Sequence, residues 1–437
     1  MKTINLILII SMISFSVMAQ DLFESAAKSN ENALSYQLNG DLRGILYVNK
    51  KDDKASLQSS YGEAAIKLSV SKQNFGKAYA EMRLKSGFEF GETLNEILLR
   101  EAWVSTNFSK FNFTLGKQII AWGRADGINP TDQVTPKNFI VRSPEPDDIR
   151  LGNFLFNAQY NLFNYLKITG IWVPRYVPSY MPIQIAEIPS NVKFNGIRYN
   201  DFNISNSELL FKCDIQLNKF DGSLSYKGGY GQYPGLIIDS IKMTLAGPEV
   251  QFSAKPFRQH IIGADFSTSL SSFGIRGEIA YQITKDYDSL KYIPNPDLQY
   301  VFGIDRKFGN FMIIAQYIGH YVFDFKNIPT YTTPLDALYN QMENYNRLMT
   351  MQTHKMRHEI SLRPSISLFH ENVEIEAFGM YDFTTKEYLI MPKVTYNVTD
   401  AFKIALGAQY YDGPDNTIYD LIGPALNSAY LQCKVSF

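Results

Sequence analysis

The chain closes with Ala429-Tyr430-Leu431-Gln432-Cys433-Lys434-Val435-Ser436-Phe437. Ala429, Leu431, Cys433, Val435 and Phe437 fall on one face, and Tyr430, Gln432, Lys434 and Ser436 on the other. Successive side chains of a β-strand point to opposite sides, so a repeat of two residues is a strand signature. The alternation is unbroken, so this strand divides an apolar environment from a polar one.

The same dyad recurs along the chain. Leu38, Gly40, Leu42, Gly44 and Leu46 oppose Gln37, Asn39, Asp41 and Arg43; Ala80, Met82 and Leu84 oppose Glu81, Arg83 and Lys85. Ile275, Gly277, Ile279 and Tyr281 oppose Arg276, Glu278 and Gln282; Ile360, Leu362 and Ile366 oppose Glu359, Ser361, Arg363 and Ser365. A soluble sandwich and a membrane barrel both produce such patterns, with opposite polarity of inside and outside. Three features favour the barrel. Glycine and alanine are frequent on the apolar faces, the strands are as long as a tilted span requires, and short and long connections alternate. Strands are expected near 35–50, 59–73, 77–90, 97–109, 111–125, 149–161, 165–176, 207–219, 221–232, 257–270, 273–287, 297–308, 310–325, 356–369, 372–384, 387–398, 401–412 and 427–437. The long connections lie near 126–148, 177–206, 233–256, 326–355 and 413–426. The expectation is an all-β fold: a transmembrane antiparallel up-and-down β-barrel of about 18 strands over 35–437. Its long loops are extracellular and its short turns periplasmic, and residues 334–350 have helical spacing within one long loop.

Composition agrees. Aromatic residues make up 14%, with 28 Tyr and 30 Phe, natural for a barrel with interfacial girdles. No stretch after the N-terminus is long and apolar enough for a membrane helix. A net charge of -1 argues against nucleic acid as a partner. Lys2, the apolar run over 4–17, and Val17 and Ala19 at small-residue cleavage positions read as a signal peptide over 1–19. Residues 20–34 are then a short periplasmic segment, with a helix expected over 21–32. Cys213 and Cys433 both lie on apolar phases of strands roughly opposite each other, too far apart for a disulfide.

The most distinctive stretch is Leu115-Gly116-Lys117-Gln118-Ile119-Ile120-Ala121-Trp122-Gly123-Arg124-Ala125-Asp126-Gly127-Ile128-Asn129-Pro130-Thr131-Asp132, preceded by Arg100-Glu101-Ala102-Trp103-Val104. A strand passes into Trp122-Gly123-Arg124 and then into a turn cluster. Over about residues 97–135 this resembles the alginate-export-like and related substrate-specific porin families of Gram-negative bacteria. In those families a Gly-Arg/Lys-Gln strand leads to Trp-Gly and an Asn-Pro turn at the base of a long loop. The final strand ending at Phe437 resembles the signal by which outer-membrane barrels are recognised for insertion. These resemblances imply outer-membrane lipid and lipopolysaccharide, the barrel-insertion machinery and a small solute as partners.

Loop 126–148 can fold inward, so that Arg124, Asp126, Asn129 and Asp132 narrow the lumen with fixed charges and hydrogen-bonding groups. Trp122 would then offer a stacking surface to a sugar or aromatic solute, or else belong to an outer girdle. Lys117 and Gln118 cannot both face the lumen without a bulge, expected near Gly116. Arg43, Glu81, Arg83, Arg276, Glu278, Glu359 and Arg363 are expected to line a wet pore, facing acids and bases pairing across the ladder. His320, His354 and His358 are near the outer ends of adjacent strands. Convergence on a metal is weaker as an explanation than girdle or loop hydrogen bonding. No serine has a nucleophile-elbow context, so an enzyme is not expected, and no metal or cofactor is needed. The functional expectation is a channel for passive diffusion of small hydrophilic solutes, selective or not. The alternatives are a transporter of hydrophobic substrates and a structural or assembly barrel that binds partners through its outer loops.

Overall fold

The computed structural model describes residues 34–51, 54–72, 75–180, 191–201, 203–245, 247–330 and 333–437. The signal peptide over 1–19 and the helix over 21–32 lie outside the described residues.

The strands in chain order are β1 (Leu34–Lys51), β2 (Lys54–Lys72), β3 (Gly76–Glu89), β4 (Glu92–Phe108), β5 (Phe111–Gln118), β6 (Asn153–Phe163), β7 (Leu166–Val173), β8 (Val192–Ile197), β9 (Glu208–Gln216), β10 (Phe220–Tyr230), β11 (Gly235–Thr244), β12 (Gly247–Lys255), β13 (Arg258–Leu270), β14 (Phe273–Thr284), β15 (Asp297–Phe308), β16 (Phe311–Val322), β17 (Met356–Leu368), β18 (Val373–Asp382), β19 (Tyr388–Asn397), β20 (Phe402–Asp412) and β21 (Ser428–Ser436). All except β8, β11 and β12 form one 18-stranded sheet, each strand antiparallel to the next. β21 returns to β1, pairing Asp41 with Ser436 through Val48 with Ala429, so the sheet is a closed barrel. Closure removes every free edge of that sheet.

The seam is finished by the last residue. The Gly40 N–H donates to the Phe437 carbonyl at 2.9 Å, and the Phe437 N–H returns to Gly40 at 3.0 Å. A β-carbon on residue 40 would sit 2.6 Å from Phe437 Cζ, so this position must be glycine for the terminal ring to lie against β1.

The dyad pattern sets which side faces in. On β1, Asp41, Arg43, Ile45 and Tyr47 are buried inside, while Leu42, Leu46 and Val48 are exposed outside. On β21, Tyr430 and Gln432 are inside and Leu431 and Val435 outside. The interior is therefore packed with charged and polar groups, and the wall outside is apolar. The two free cysteines, Cys213 on β9 and Cys433 on β21, are exposed on that outer wall, as expected.

Every expected barrel strand is present. At one end the connections are tight, as at 109–110, 271–272 and 309–310; at the other they include 119–152, 174–207, 231–257, 323–355 and 413–427. Two long connections together hold a small sheet that the sequence pattern did not announce. β11 and β12 pair antiparallel, and β8 adds parallel to β12. Helix α1 (Pro334–Met349) matches the expected helix, started by a capping box of Thr333 and Asp336. Helix α2 (Ile418–Leu426), capped by Thr417, was not anticipated. β5 ends at Gln118, earlier than the expected 125, so Trp122, Gly123 and Arg124 belong to the loop. The bulge also lies elsewhere: the irregularity falls where β3 meets β4, Glu81 pairing Glu101 and Met82 pairing Leu99. Gln118 faces inward and is buried, while the Lys117 ammonium donates to the Leu99 carbonyl at 2.7 Å.

Candidate functional site

The connection between β5 and β6, residues 119–152, folds into the barrel and touches the wall on several sides. It is longer at both ends than the expected loop 126–148. Each contact can be followed from the residue that makes it.

Glu278 on β14 is the anchor at the start. Its Oε1 accepts from the backbone N–H of Arg124 at 2.5 Å and of Ala125 at 2.6 Å. Its Oε2 accepts from the Thr131 hydroxyl at 2.8 Å and the Thr131 N–H at 3.3 Å. One carboxylate thus closes the turn between Gly123 and Thr131. Gly123 has φ +93°, and a β-carbon there would collide with the Glu278 carboxylate. Only glycine meets both demands.

Arg124 reaches from this turn to two wall carboxylates, Asp265 on β13 and Asp214 on β9. Asp126 accepts from Arg363 of β17 at 3.2 Å. With its amide turned to match its neighbours, Gln316 of β16 brackets the backbone of Asp126, donating to its carbonyl at 2.5 Å and accepting from its N–H at 3.0 Å. Asn129, in its matching orientation, donates to the Ala125 and Ile128 carbonyls, so it shapes the loop from within. Asp132 is fully buried. It accepts from the Trp122 N–H at 3.0 Å, from Arg150 at 2.7 Å and from the Lys137 ammonium at 3.1 Å.

Trp122 corrects both expectations made for it. Its side chain neither stands free in the lumen nor joins an outer girdle. It is 6% exposed and packs, with Val134, on inward-facing Leu155, Ile171, Val173 and Leu210. These residues make an apolar patch on the inner wall of β6, β7 and β9, and the loop covers it. Lys212 stands over the indole, 5.6 Å from its centroid. Replacing Trp122 with Ala should cost on the order of 3–5 kcal/mol through the cavity it opens. Urea unfolding in detergent would read that loss, and a change within experimental scatter would disprove the packing role.

The far limb of the loop meets the opposite wall. Asp148 sits among three guanidiniums on neighbouring strands: Arg43 at 2.6 Å, Arg83 at 2.7 Å and Arg100 at 2.9 Å. Arg43 and Arg83 also bond Glu63, and Arg83 bonds Glu81 at 2.8 Å. Burial alone would raise the Asp148 carboxyl, but Arg43, Arg83 and a hydrogen bond from Ser143 outweigh it and hold the group well below the usual carboxylate range. The Arg142 guanidinium is buried and forms no ion pair among the described residues. It donates to Gln58 at 2.9 Å, Gln409 at 3.1 Å and the Ser428 hydroxyl, and lies 4.3 Å over the Tyr47 ring.

The residues expected to line a pore face the barrel interior or pair across it. Arg43, Glu81, Glu278 and Glu359 are buried on inward faces. Arg83 and Arg363 make the loop contacts above, and Arg276 pairs with Asp305 at 3.0 Å. Asp148 and Arg142, which the loop needs as much as Arg124, were not anticipated. Their only sequence signal is an acidic pair, Asp147 and Asp148, and a basic residue in a loop already marked as inward-folding.

The three histidines do not converge. His320 faces inward on Asp297 at 3.1 Å, His358 pairs with the Tyr317 hydroxyl at 2.5 Å, and His354 bonds its neighbour Thr353. Among the described residues no cluster of His, Cys, Asp and Glu is placed to hold a metal.

The barrel superposes on solved structures over nearly its whole length. That of Acinetobacter baumannii OccAB4 gives a TM-score of 0.56 at 9% identity, covering 92% of this chain and 98% of that one. Pseudomonas aeruginosa OccK5 (OpdH) gives 0.52 at 11% identity, covering 92% and 97%. A BenF-like porin from Pseudomonas fluorescens Pf-5 gives 0.53 at 9% identity, covering 92% and 98%. The barrel has the porin fold. Identity this low carries the fold and no more. A family model described as a protein of unknown function (DUF1302) matches residues 25–184, the stretch of the porin fold that contains the inward loop. No curated protein matches the chain.

Proposed function

We propose that the chain is an outer-membrane channel through which small hydrophilic solutes diffuse passively, with loop 119–152 as its constriction. The observation that carries this reading is the loop itself. It is held inside the barrel by charged and amide groups of β1 to β4 on one side and of β9, β13, β14, β16 and β17 on the other. A segment fixed in this way sets the width of a lumen and supplies immobile charge. The apolar outer wall suits lipid, and the end with long connections faces outward from the cell, as in bacterial outer-membrane barrels. The constriction residues are Arg124, Asp126 and Asp148, with Asn129, Asp132 and Trp122 supporting them from within the loop. The names of the structural neighbours, Occ and BenF-like porins, support a channel. The narrower kinship to alginate-export-like porins rests on residues 97–135. The reading involves no enzymatic step and no cofactor; its partners are outer-membrane lipid and lipopolysaccharide, the insertion machinery and the solute.

Purified protein in planar bilayers should give discrete, ohmic conductance steps. A correctly folded barrel that inserts and stays electrically silent would refute the channel.

A further inference from the structure

At the end of the barrel with long connections, a cavity of about 340 Å³ lies between the C-terminal half of α1, the turn from β18 to β19 and the N-terminus of α2. Arg357, Thr385, Glu387, Asn344, His354 and Asn416 are among its walls, with Leu348, Met351 and Ile418 as an apolar part. None of these residues belongs to the constriction. We propose that this cavity is a docking site for a neutral polyhydroxylated solute, of monosaccharide to disaccharide size, at the mouth of the channel. The inference rests on the channel reading for its purpose but not for its chemistry.

Three observations carry it. First, the Thr385 hydroxyl has no hydrogen-bond partner among the described residues, although the residue is only 9% exposed. Buried hydroxyls are nearly always paired, so an orphan in a cavity wall points to a missing partner. Second, donors and acceptors stand side by side. Arg357 uses Nε and Nη2 on Asp382 and Glu359, which leaves Nη1 without an acceptor among the described residues. The Glu387 carboxylate accepts from the Tyr419 N–H through Oε1, and Oε2 has no bond of its own among the described residues. A hydroxyl both donates and accepts, so a polyol satisfies both kinds of group. An ammonium cannot accept from Arg357, and a carboxylate cannot donate to Glu387 and is repelled by Asp382, Glu359 and Asp415. Third, the site leads somewhere. Arg357, Glu359, Ser361 and Arg363 share the inward face of β17, and Arg363 is where the loop's Asp126 meets that strand. A solute released from the cavity therefore descends a polar row to the constriction.

The test is calorimetric titration of the detergent-solubilised full chain with glucose, with its cationic counterpart glucosamine and with its anionic counterpart glucuronate. Glucose should bind, and Thr385→Val should weaken it by about tenfold, the scale of losing a buried hydrogen bond to a substrate hydroxyl. Thr385→Val keeps the shape and removes an unpaired polar atom, so the fold is expected to hold. Asn344→Ala, at a partly buried position of α1, provides a second variant with the same expected direction. Glucose that gives no heat, glucosamine or glucuronate binding as well as glucose, or unchanged affinity in both variants would overturn the proposal. Conductance of the same preparation separates the two readings: a conducting barrel without sugar binding removes the docking site alone, and sugar binding by a silent barrel removes the channel alone.

Discussion

Glu278→Ala should raise single-channel conductance at least about twofold and make the open current noisier, because a loop that loses its anchor samples open conformations. Glu278 satisfies three backbone N–H groups and one hydroxyl of the loop at once. A hydrogen bond to a charged group is worth roughly 1.5–3 kcal/mol. These four share one carboxylate and do not add fully, yet their loss leaves three amides to find water. Arg124 would still hold Asp265, so the loop would swing about that contact and not leave the barrel. The Gln variant keeps one acceptor oxygen and should show an intermediate effect. Gly123→Ala, with Glu278 intact, should reproduce the Ala phenotype from the other side of the contact. Conductance equal to the parent in Glu278→Ala and Gly123→Ala would remove the loop from any role in narrowing the lumen.

The second large effect is one of charge. Asp148→Asn removes the carboxylate at the meeting point of Arg43, Arg83 and Arg100. Glu63 and Glu81 remain, so Arg43 and Arg83 keep partners and the barrel should still assemble. The net charge beside the loop rises by one. A unit charge at 4 Å contributes about 4 kcal/mol at an effective dielectric of 20, and every 1.4 kcal/mol is tenfold, so even a heavily screened remnant should raise the chloride-to-potassium permeability ratio roughly tenfold. Reversal potentials in a salt gradient would show it, and an unchanged ratio would mean that ions do not pass this cluster. The pH dependence follows from the depressed carboxyl of Asp148. A folded value below the unfolded one gives stability that is complete above the ordinary carboxyl range and is lost only as pH falls through the lower, folded value. The parent should therefore keep its selectivity through about pH 4, where an ordinary aspartate is half protonated.

The wall of the barrel was legible in the sequence because one residue in two reports which side of the wall it faces. Asp41 and Arg43, or Tyr430 and Gln432, reveal the interior without any knowledge of their partners. Where alternation stops, legibility stops too. β8, β11 and β12 lie in connections whose neighbours differ on both faces, so no clean dyad marks them. Trp122 illustrates the deeper limit. An indole beside a Gly-Arg turn suits an open platform, a girdle or a packed anchor equally well. What decided the outcome was an apolar patch on the inner wall, Leu155, Ile171 and Leu210, that breaks the rule of polar lumen faces. The alternation puts Glu278 on the inner face, where it is buried, but its task depends on a turn 147 residues earlier in the chain. No local pattern encodes a partner at that distance.

The grip of Arg142 has a temporal meaning. Its three side-chain acceptors belong to β2, β20 and β21, and Gln58 on β2 and Ser428 on β21 stand on either side of β1, the strand to which the last one returns. Contacts between residues 84, 267 and 286 positions apart form late, after the chain entropy between them has been surrendered. Arg142 cannot find all three until the final strand has zipped onto the first. The Arg142 end of the loop therefore gains its last contacts once the ring is sealed, while the Glu278 and Asp148 contacts do not involve the closing strand. Full engagement of Arg142 thus requires the last strand to be in place.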